Sequence, residues 1–166
     1  MKLDTKKLTL SSLMITLGVV LSPYAVPVGV AKCYPWQHLI NVISAILLGP
    51  LYTLMTAFSI SVIRNFLGLG TLLAFPGSLF GGLLASILYQ KFSKTYLAFI
   101  GEVIGTGLIG ALFAYPVAVL FMGKSTAVFA FVIPFMLSSF VGALAALIIF
   151  EFTTIKKIIT QRKLNC

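Results

Sequence analysis

The chain has 166 residues, of which 60% are hydrophobic, and its mean hydropathy is +1.11. A soluble domain of this size leaves roughly 30% of its unfolded surface in water, too much for so apolar a sequence, so the composition excludes a soluble globular protein. The formal charge of +9 does not indicate nucleic-acid binding, because the basic residues lie at the ends of apolar runs and form no continuous basic face. An all-α membrane protein is therefore predicted.

Six apolar segments follow one another along the chain and predict transmembrane helices, each of which needs about 20 mostly apolar residues. The first follows several lysines, as in a signal peptide, but it is predicted to be a retained helix because comparable segments follow it. Pro23 and Pro27 end this first helix, and Gly49-Pro50 ends the second, which is short for a full span. The predicted helices of this single membrane domain cover residues about 8–26, 37–48, 51–63, 72–89, 95–121 and 127–152.

The distribution of basic residues predicts the orientation in the membrane. If the N-terminus is cytoplasmic, nine lysine and arginine residues fall in cytoplasmic segments, and only Lys32, Arg64 and Lys124 fall in outer ones. This asymmetry follows the positive-inside rule. An even number of spans puts both termini on one side, so the sequence predicts a six-transmembrane-helix bundle in the plasma membrane with both termini cytoplasmic.

Two features of the sequence argue against nucleotide and metal chemistry. Gly123-Lys124-Ser125 matches the end of a phosphate-binding loop, but Ala118 stands where that loop needs its first glycine. The chain is therefore not expected to bind ATP by itself. One histidine, two cysteines and three acidic residues form no cluster with metal-ligand spacing, so no metal site and no catalytic residues are predicted.

Small residues recur at helical spacing in the later helices. Examples are Gly77, Gly81 and Ala85, then Ser78, Gly82 and Ser86, and also Thr106, Gly110 and Ala114. Such stripes let helix backbones approach closely in lipid. They predict close packing within one bundle, and docking against a separate membrane partner is the alternative.

Polar residues at the start of the second predicted helix form the first candidate binding group. Tyr34 and Trp36 are also ordinary residues of the membrane interface. Gln37, His38 and Asn41 are not, and their spacing lets them share one side of a helix. Amides and an imidazole beside aromatic rings suit a small, planar, polar ligand, so this group is predicted to bind the substrate.

Two further polar groups lie deeper in the sequence. Arg64 and Asn65 lie at the outer end of the third helix, where Arg64 could extend to lipid headgroups or could form a binding site with Asn65. Glu102 lies inside the fifth helix, where an acidic residue costs roughly 2.5 to 3.5 kcal/mol and normally faces the interior of the bundle. Hydrogen bonding between helices, ligand binding and proton transfer are all open for Glu102.

Five stretches of the sequence resemble the ThiW family, whose members are substrate-binding S components of energy-coupling factor (ECF) vitamin transporters. The resemblance covers essentially the whole chain, and its more specific parts are Pro-x-Gln-His-x-x-Asn and Ala-Phe-Pro-Gly-Ser. The five stretches are Cys33-Tyr-Pro-Trp-Gln-His-Leu-Ile-Asn41, Leu48-Gly-Pro50, Ser61-Val-Ile-Arg-Asn65, Ala74-Phe-Pro-Gly-Ser78 and Gly101-Glu-Val-Ile-Gly-Thr106.

The resemblance implies a membrane subunit that captures a thiamine precursor, the hydroxyethylthiazole moiety. It also implies a transmembrane coupling protein and two cytoplasmic ATPase subunits as partners, so that ATP is used by the partners and this chain holds no cofactor. Many S components carry an Ala-x-x-x-Ala stripe on the first helix that faces the coupling protein, and the nearest equivalent here is Ser12 with Thr16. The residues expected to bind the substrate are Tyr34, Trp36, Gln37, His38, Asn41, Arg64, Asn65, Glu102 and Tyr115.

Three alternatives stay open beside this interpretation. An S component for a different vitamin fragment would look the same, since an aromatic, amide-lined pocket fits several heterocycles. A secondary transporter would need an ion or proton route, for which Glu102 is the candidate. A membrane enzyme or assembly factor would use His38 and Cys33 chemically, and an enzyme would turn over a bound compound where a binding subunit would not.

Overall fold

The computed structural model of the chain describes residues 4–28 and 31–152. The prediction of an α-helical protein is confirmed, with a short β-hairpin as an addition. Of the basic residues counted for the orientation, Lys2 and those from Lys156 onwards lie outside the described residues. The elements are α1 (Thr5–Val20), β1 (Val26–Val28), β2 (Ala31–Cys33), α2 (Pro35–Leu47), α3 (Pro50–Phe66), α4 (Ala74–Phe92), α5 (Thr95–Phe121) and α6 (Val132–Phe152).

The first helix is shorter than predicted. It ends at Val20 instead of about residue 26, because Pro23 has no N–H to continue the helical hydrogen bonds. Residues Val26–Val28 instead pair antiparallel with Ala31–Cys33. The chain between α1 and α2 is therefore a structured hairpin and not the end of a helix followed by a loop.

Other boundaries differ from the prediction by a few residues, and those of α4 are Ala74 and Phe92 instead of about 72 and 89. α3 continues to Phe66 instead of about residue 63, and it ends before Gly68, whose φ of 70° is readily adopted only by glycine. α6 begins at Val132 instead of about residue 127, and Pro134 lies in its first turn, where the missing N–H breaks no helical bond.

α2 is the central helix of the bundle, because it contacts α1, α3, α4, α5 and α6. Its polar side chains Gln37, His38, Asn41 and Ser44 are all buried. A helix surrounded by protein can hold polar groups at membrane depth, since those groups bond to protein instead of facing lipid.

Side-chain hydrogen bonds bring one set of helix ends together beside the hairpin, and we call this side of the bundle the hairpin end. Trp36 Nε1 donates to Tyr24 O at 3.2 Å, which joins the chain after α1 to the start of α2. Tyr34 N donates to Ser138 Oγ at 2.8 Å, which joins the start of α2 to α6. Tyr34 Oη donates to Leu69 O at 3.1 Å, which adds the connection between α3 and α4.

The opposite end of the bundle holds the start of α1. Asp4 caps this helix by accepting hydrogen bonds from the backbone N–H groups of Lys6 and Lys7. Its own N–H donates to Tyr52 Oη at 3.0 Å, which joins the start of α1 to the start of α3.

α5 is continuous but widens twice into π-helical turns, at Gly105–Gly110 and at Val117–Phe121. Pro116 precedes the second, and its missing N–H and its ring favour a local change of helix geometry there. In the first π-helical turn, Gly105 allows close contact with α4, since a Cβ at this position would lie 2.5 Å from Phe80 O. π turns inside helices are frequent at functional sites, and the turn at Gly105–Gly110 lies beside the cavity described below.

The outer surface of the bundle is strongly apolar. α5 and α6 are long and apolar enough to cross a membrane. Leu120, Phe121 and Ile133 on these helices are each 75% exposed. Exposed apolar surface of this extent is unusual for a soluble protein and indicates contact with a membrane or with another protein.

Replacing Gly110 by alanine is expected to destabilise the fold. The new Cβ would lie 2.8 Å from Gly77 Cα and from Pro76 O, which are backbone atoms that cannot rotate away. Overpacking of this kind costs about 1–3 kcal/mol, so the midpoint of thermal unfolding in detergent should fall. Leu112→Ala, at an exposed position of the same helix, is the control. Equal losses in the two variants would contradict the close contact between α4 and α5.

Candidate functional site

A cavity of about 340 Å³ lies at the hairpin end, between the hairpin and helices α2, α4, α5 and α6. Its wall combines apolar side chains with hydroxyl, amide and imidazole groups, and two lysines lie among its lining residues. The lining residues are Pro27, Lys32, Tyr34, Gln37, His38, Thr71, Leu73, Ala74, Gly77, Ser78, Thr106, Lys124, Phe135 and Ser138.

Arg64 supports one wall of the cavity from behind. Its guanidinium lies 3.8 Å from the centroid of the Tyr34 ring, and its Nη1 donates to Gln37 Oε1. The Arg64 side chain is fully buried. A cation over an aromatic ring contributes about 0.5 to 2 kcal/mol, so Arg64 fixes both the Tyr34 ring and the Gln37 amide where they meet the cavity.

Behind His38 lies a hydrogen-bond network centred on Glu102. Glu102 Oε1 lies 2.8 Å from His38 Nδ1 and accepts from Asn41 Nδ2 at 3.0 Å. Thr106 Oγ1 lies 3.2 Å from the same oxygen and 3.0 Å from Gly77 O, and its single proton can go to one of them at a time. With Glu102 as a carboxylate, which only accepts, Nδ1 of His38 is the donor in this contact, and Nε2 is the ring nitrogen left for a ligand.

The Gln37 amide is held at both of its polar atoms. Its oxygen accepts from Arg64, and its Nε2 donates to Ser61 Oγ at 3.1 Å. Ser61 Oγ lies 3.0 Å from Ser78 Oγ, and Ser78 Oγ donates to Ala74 O at 2.8 Å. An amide fixed in this way is preorganised, and such sites reject compounds that cannot satisfy their polar groups.

Several buried polar atoms of this region have no hydrogen-bond partner among the described residues. They are Asn41 Oδ1, Glu102 Oε2, and Nε and Nη2 of Arg64. An unpaired buried polar group costs about 1–3 kcal/mol, so an incomplete network is a poor device for packing alone. The network lies behind the cavity wall and is fully buried, so it positions the lining side chains of His38 and Gln37.

The structure brings most of the predicted binding residues into one region. Tyr34, Gln37 and His38 line the cavity directly. Others lie behind this lining and bond to it or to each other, namely Asn41, Arg64 and Glu102.

Three predicted binding residues lie elsewhere. Asn65 Nδ2 donates to Ser61 O at 2.8 Å and to Thr71 O at 3.1 Å, so it holds the connection between α3 and α4. Trp36 lines a separate, mostly apolar groove, because adjacent residues of a helix are turned by about 100° and its neighbour faces inward. Tyr115 is half-buried on α5 and is not among the residues that line the cavity.

Other lining residues were not predicted. Ser78 and Thr106 belong to stripes of small residues that were interpreted as packing surfaces, and Ser138 lies in the apolar sequence of α6. The sequence feature that could have identified them as lining residues is the hydroxyl group that each carries at a position where glycine or alanine would pack as well. Lys32 and Lys124 were not among the predicted binding residues, although both line the cavity.

Cys33 is not among the residues that line the cavity with His38. Its thiol is 3% exposed and donates to Pro134 O at 3.2 Å. Burial raises the pKa of the Cys33 thiol, which disfavours the reactive thiolate. Within residues 4–28 and 31–152, no group of three His, Cys, Asp or Glu side chains could share a metal ion. The buried, protonated thiol therefore does not favour the chemical role for Cys33 that the enzyme alternative needs.

Comparison with known proteins gives a match over nearly the whole chain. The family model described as thiamine-precursor transporter protein (ThiW) matches residues 8–156. No curated protein and no solved structure matches the chain. The family match includes every residue that lines the cavity.

Replacing Glu102 by alanine is expected to destabilise the protein more than replacing it by glutamine. Alanine leaves His38 Nδ1 without its acceptor, at a cost of about 1–3 kcal/mol, whereas glutamine keeps an oxygen at the same place. The midpoints of thermal unfolding in detergent measure the difference. Ile104→Ala, at an exposed apolar position of α5, is the control. Similar midpoints for the two Glu102 variants would contradict the role of Oε1 as a shared acceptor.

Proposed function

Because the chain belongs to the ThiW family of thiamine-precursor transporter proteins, we propose that it is the substrate-binding subunit, or S component, of an ECF transporter. The proposed substrate is the hydroxyethylthiazole moiety of thiamine, taken up from outside the cell. The observation that carries the proposal is the cavity at the hairpin end, where polar side chains of four helices converge on one small volume. The family is one of transporters and not of enzymes, which agrees with a site built for binding.

The proposed topology has six membrane spans in the plasma membrane, with both termini in the cytoplasm. In the described residues, the lysines at the start of α1 and around the turn from α4 to α5 lie at the end opposite the cavity. The positive-inside rule places that end in the cytoplasm, so the cavity would open outward. The basic residues at the hairpin end are Lys32, Arg64 and Lys124.

The volume and lining of the cavity favour a ligand with a single ring. Ligand cavities span roughly 300–1,000 Å³, and this one, at about 340 Å³, is near the lower limit. Tyr34 and Phe135 provide aromatic surface for a planar ring, and such a contact contributes about 0.5–1.5 kcal/mol beyond area burial. The second proton of Gln37 Nε2 would bond the ring nitrogen, and His38 Nε2 would accept from the hydroxyl group.

The proposed docking surface for a transmembrane coupling protein is the exposed face of α1. Thr9, Ser12 and Thr16 lie there, and each hydroxyl donates to a carbonyl four residues earlier, at 2.9 to 3.0 Å. Because these donors are satisfied within the helix, the face can meet another helix closely without unpaired groups. Two cytoplasmic ATPase subunits would use ATP to drive transport, and no cofactor is proposed for this chain.

Purified protein is expected to bind hydroxyethylthiazole, and Gln37→Ala and His38→Ala are each expected to weaken binding by about tenfold or more. Each change removes a polar group that the ligand would pair with, worth about 1.4 kcal/mol or more. Titration calorimetry measures the affinities. Trp36→Ala, in the separate groove, is the matched control and should have little effect. Unchanged affinity in folded Gln37→Ala and His38→Ala variants would contradict the proposed site.

The double variant Ser12→Leu with Thr16→Leu is expected to keep substrate binding and to lose most uptake in proteoliposomes that also hold the coupling protein and the ATPases. Bulky side chains would prevent close approach of the partner helix. Val141→Leu, at an exposed position of α6, is the control for added volume. Uptake by this chain alone, abolished in Glu102→Gln, would instead support a secondary transporter that uses the buried Glu102–His38 pair for protons.

A further inference from the structure

Two lysines line the cavity, and a defined local structure places each of them there. Lys32 pairs with Pro27 in the hairpin, and both residues line the cavity. Lys124 follows Gly123, whose φ of 61° ends α5, and its N–H donates to Ala118 O at 3.0 Å. The two residues come from segments far apart in the sequence, so their meeting at one cavity is a property of the fold.

Acidic groups do not outweigh this positive charge, because Glu102, the buried acid behind the cavity wall, is matched by the buried cation Arg64. The chain has three acidic residues in all. Asp4, which caps α1, and Glu151, near the end of α6, lie at the end opposite the cavity. Glu102 is fully buried behind the lining, and its Oε1 is engaged by His38 and Asn41. A ligand in the cavity therefore meets lysine side chains but, among the described residues, no accessible carboxylate.

One of the two aromatic rings of the wall, that of Tyr34, does not offer a cation a favourable place either. Cations bind well against the faces of aromatic rings, and the aromatic residues lining the cavity are Tyr34 and Phe135. The Tyr34 ring already carries the Arg64 guanidinium at 3.8 Å. A second cation against the same ring would be repelled by the first, because a buried charge is screened only weakly.

We propose that this cavity selects uncharged heterocycles and rejects cationic ones, and that Lys32 and Lys124 set this discrimination. A thiazole with an unsubstituted nitrogen is neutral in neutral solution, whereas a thiazole alkylated at nitrogen, as in the assembled vitamin, is a permanent cation. The site thus admits the precursor and excludes the vitamin made from it. This inference rests on the proposed function and deepens it by naming the charge class of the substrate.

The test compares hydroxyethylthiazole with its N-methyl thiazolium derivative by titration calorimetry on the purified full-length chain. The thiazolium is expected to bind at least about tenfold more weakly. In the double variant Lys32→Gln with Lys124→Gln, the ratio of the two affinities should shrink by about threefold or more, and the part of it that remains comes from the lost ring-nitrogen acceptor. Added salt should shrink the ratio in the unmodified protein much more than in the variant. Lys91→Gln, at the opposite end of the bundle, is the control and should keep the full ratio.

N-methylation also removes the ring-nitrogen acceptor, so the dependence of the ratio on the lysine charges is the decisive measurement. A ratio that is the same in the double variant and in the unmodified protein would overturn the charge selection. Equal affinity for the two compounds in the unmodified protein would overturn it too, but would leave the proposed function standing. Absence of any binding by hydroxyethylthiazole would overturn both. Thermal unfolding of each variant confirms that the compared proteins are folded.

Discussion

A carboxylate buried in a helical bundle needs partners on the neighbouring helices, and the partners of Glu102 determine how α2, α4 and α5 meet. Its Oε1 bonds to His38 and Asn41 of α2 and lies within reach of Thr106 on its own helix. These bonds require close backbones, and a Cβ at Gly81 would lie 2.7 Å from Glu102 Oε1. The small residues of α4 and the polar residues of α2 are therefore parts of one arrangement, which holds the imidazole at the cavity wall.

Features that depend on local sequence were predictable, because local forces determine them. Hydropathy and proline or glycine pairs gave six helices, and α5 covers the predicted residues 95–121. The spacing of Gln37, His38 and Asn41 predicted that they share one side of a helix, and all three are buried on α2. The cost of an acid in lipid predicted that Glu102 faces the bundle interior, and it is fully buried. None of these inferences needed the relative positions of the helices.

The rest of the site depends on which helices are neighbours, and no short-range pattern contains that information. Trp36 adjoins Gln37 in sequence, yet the two face different cavities, and only the central position of α2 decides which side is inside. Thr106 and Ser138 become polar lining residues because α5 and α6 both pass the start of α2. The hairpin likewise depends on pairing between two three-residue strands, neither of which is long enough to be recognised alone.

The positive-inside rule counts basic residues without regard to their contacts, so it treats Lys32, Arg64 and Lys124 as exceptions at the end that it predicts to be outside the cell. Each exception weakens the orientation signal, and each has a specific place in the structure. Arg64 stacks on Tyr34 and bonds to Gln37, and the two lysines line the cavity. Basic residues at the opposite end need only to lie near the headgroups of lipids. The three basic residues that run against the positive-inside rule are thus the ones whose positions the cavity explains.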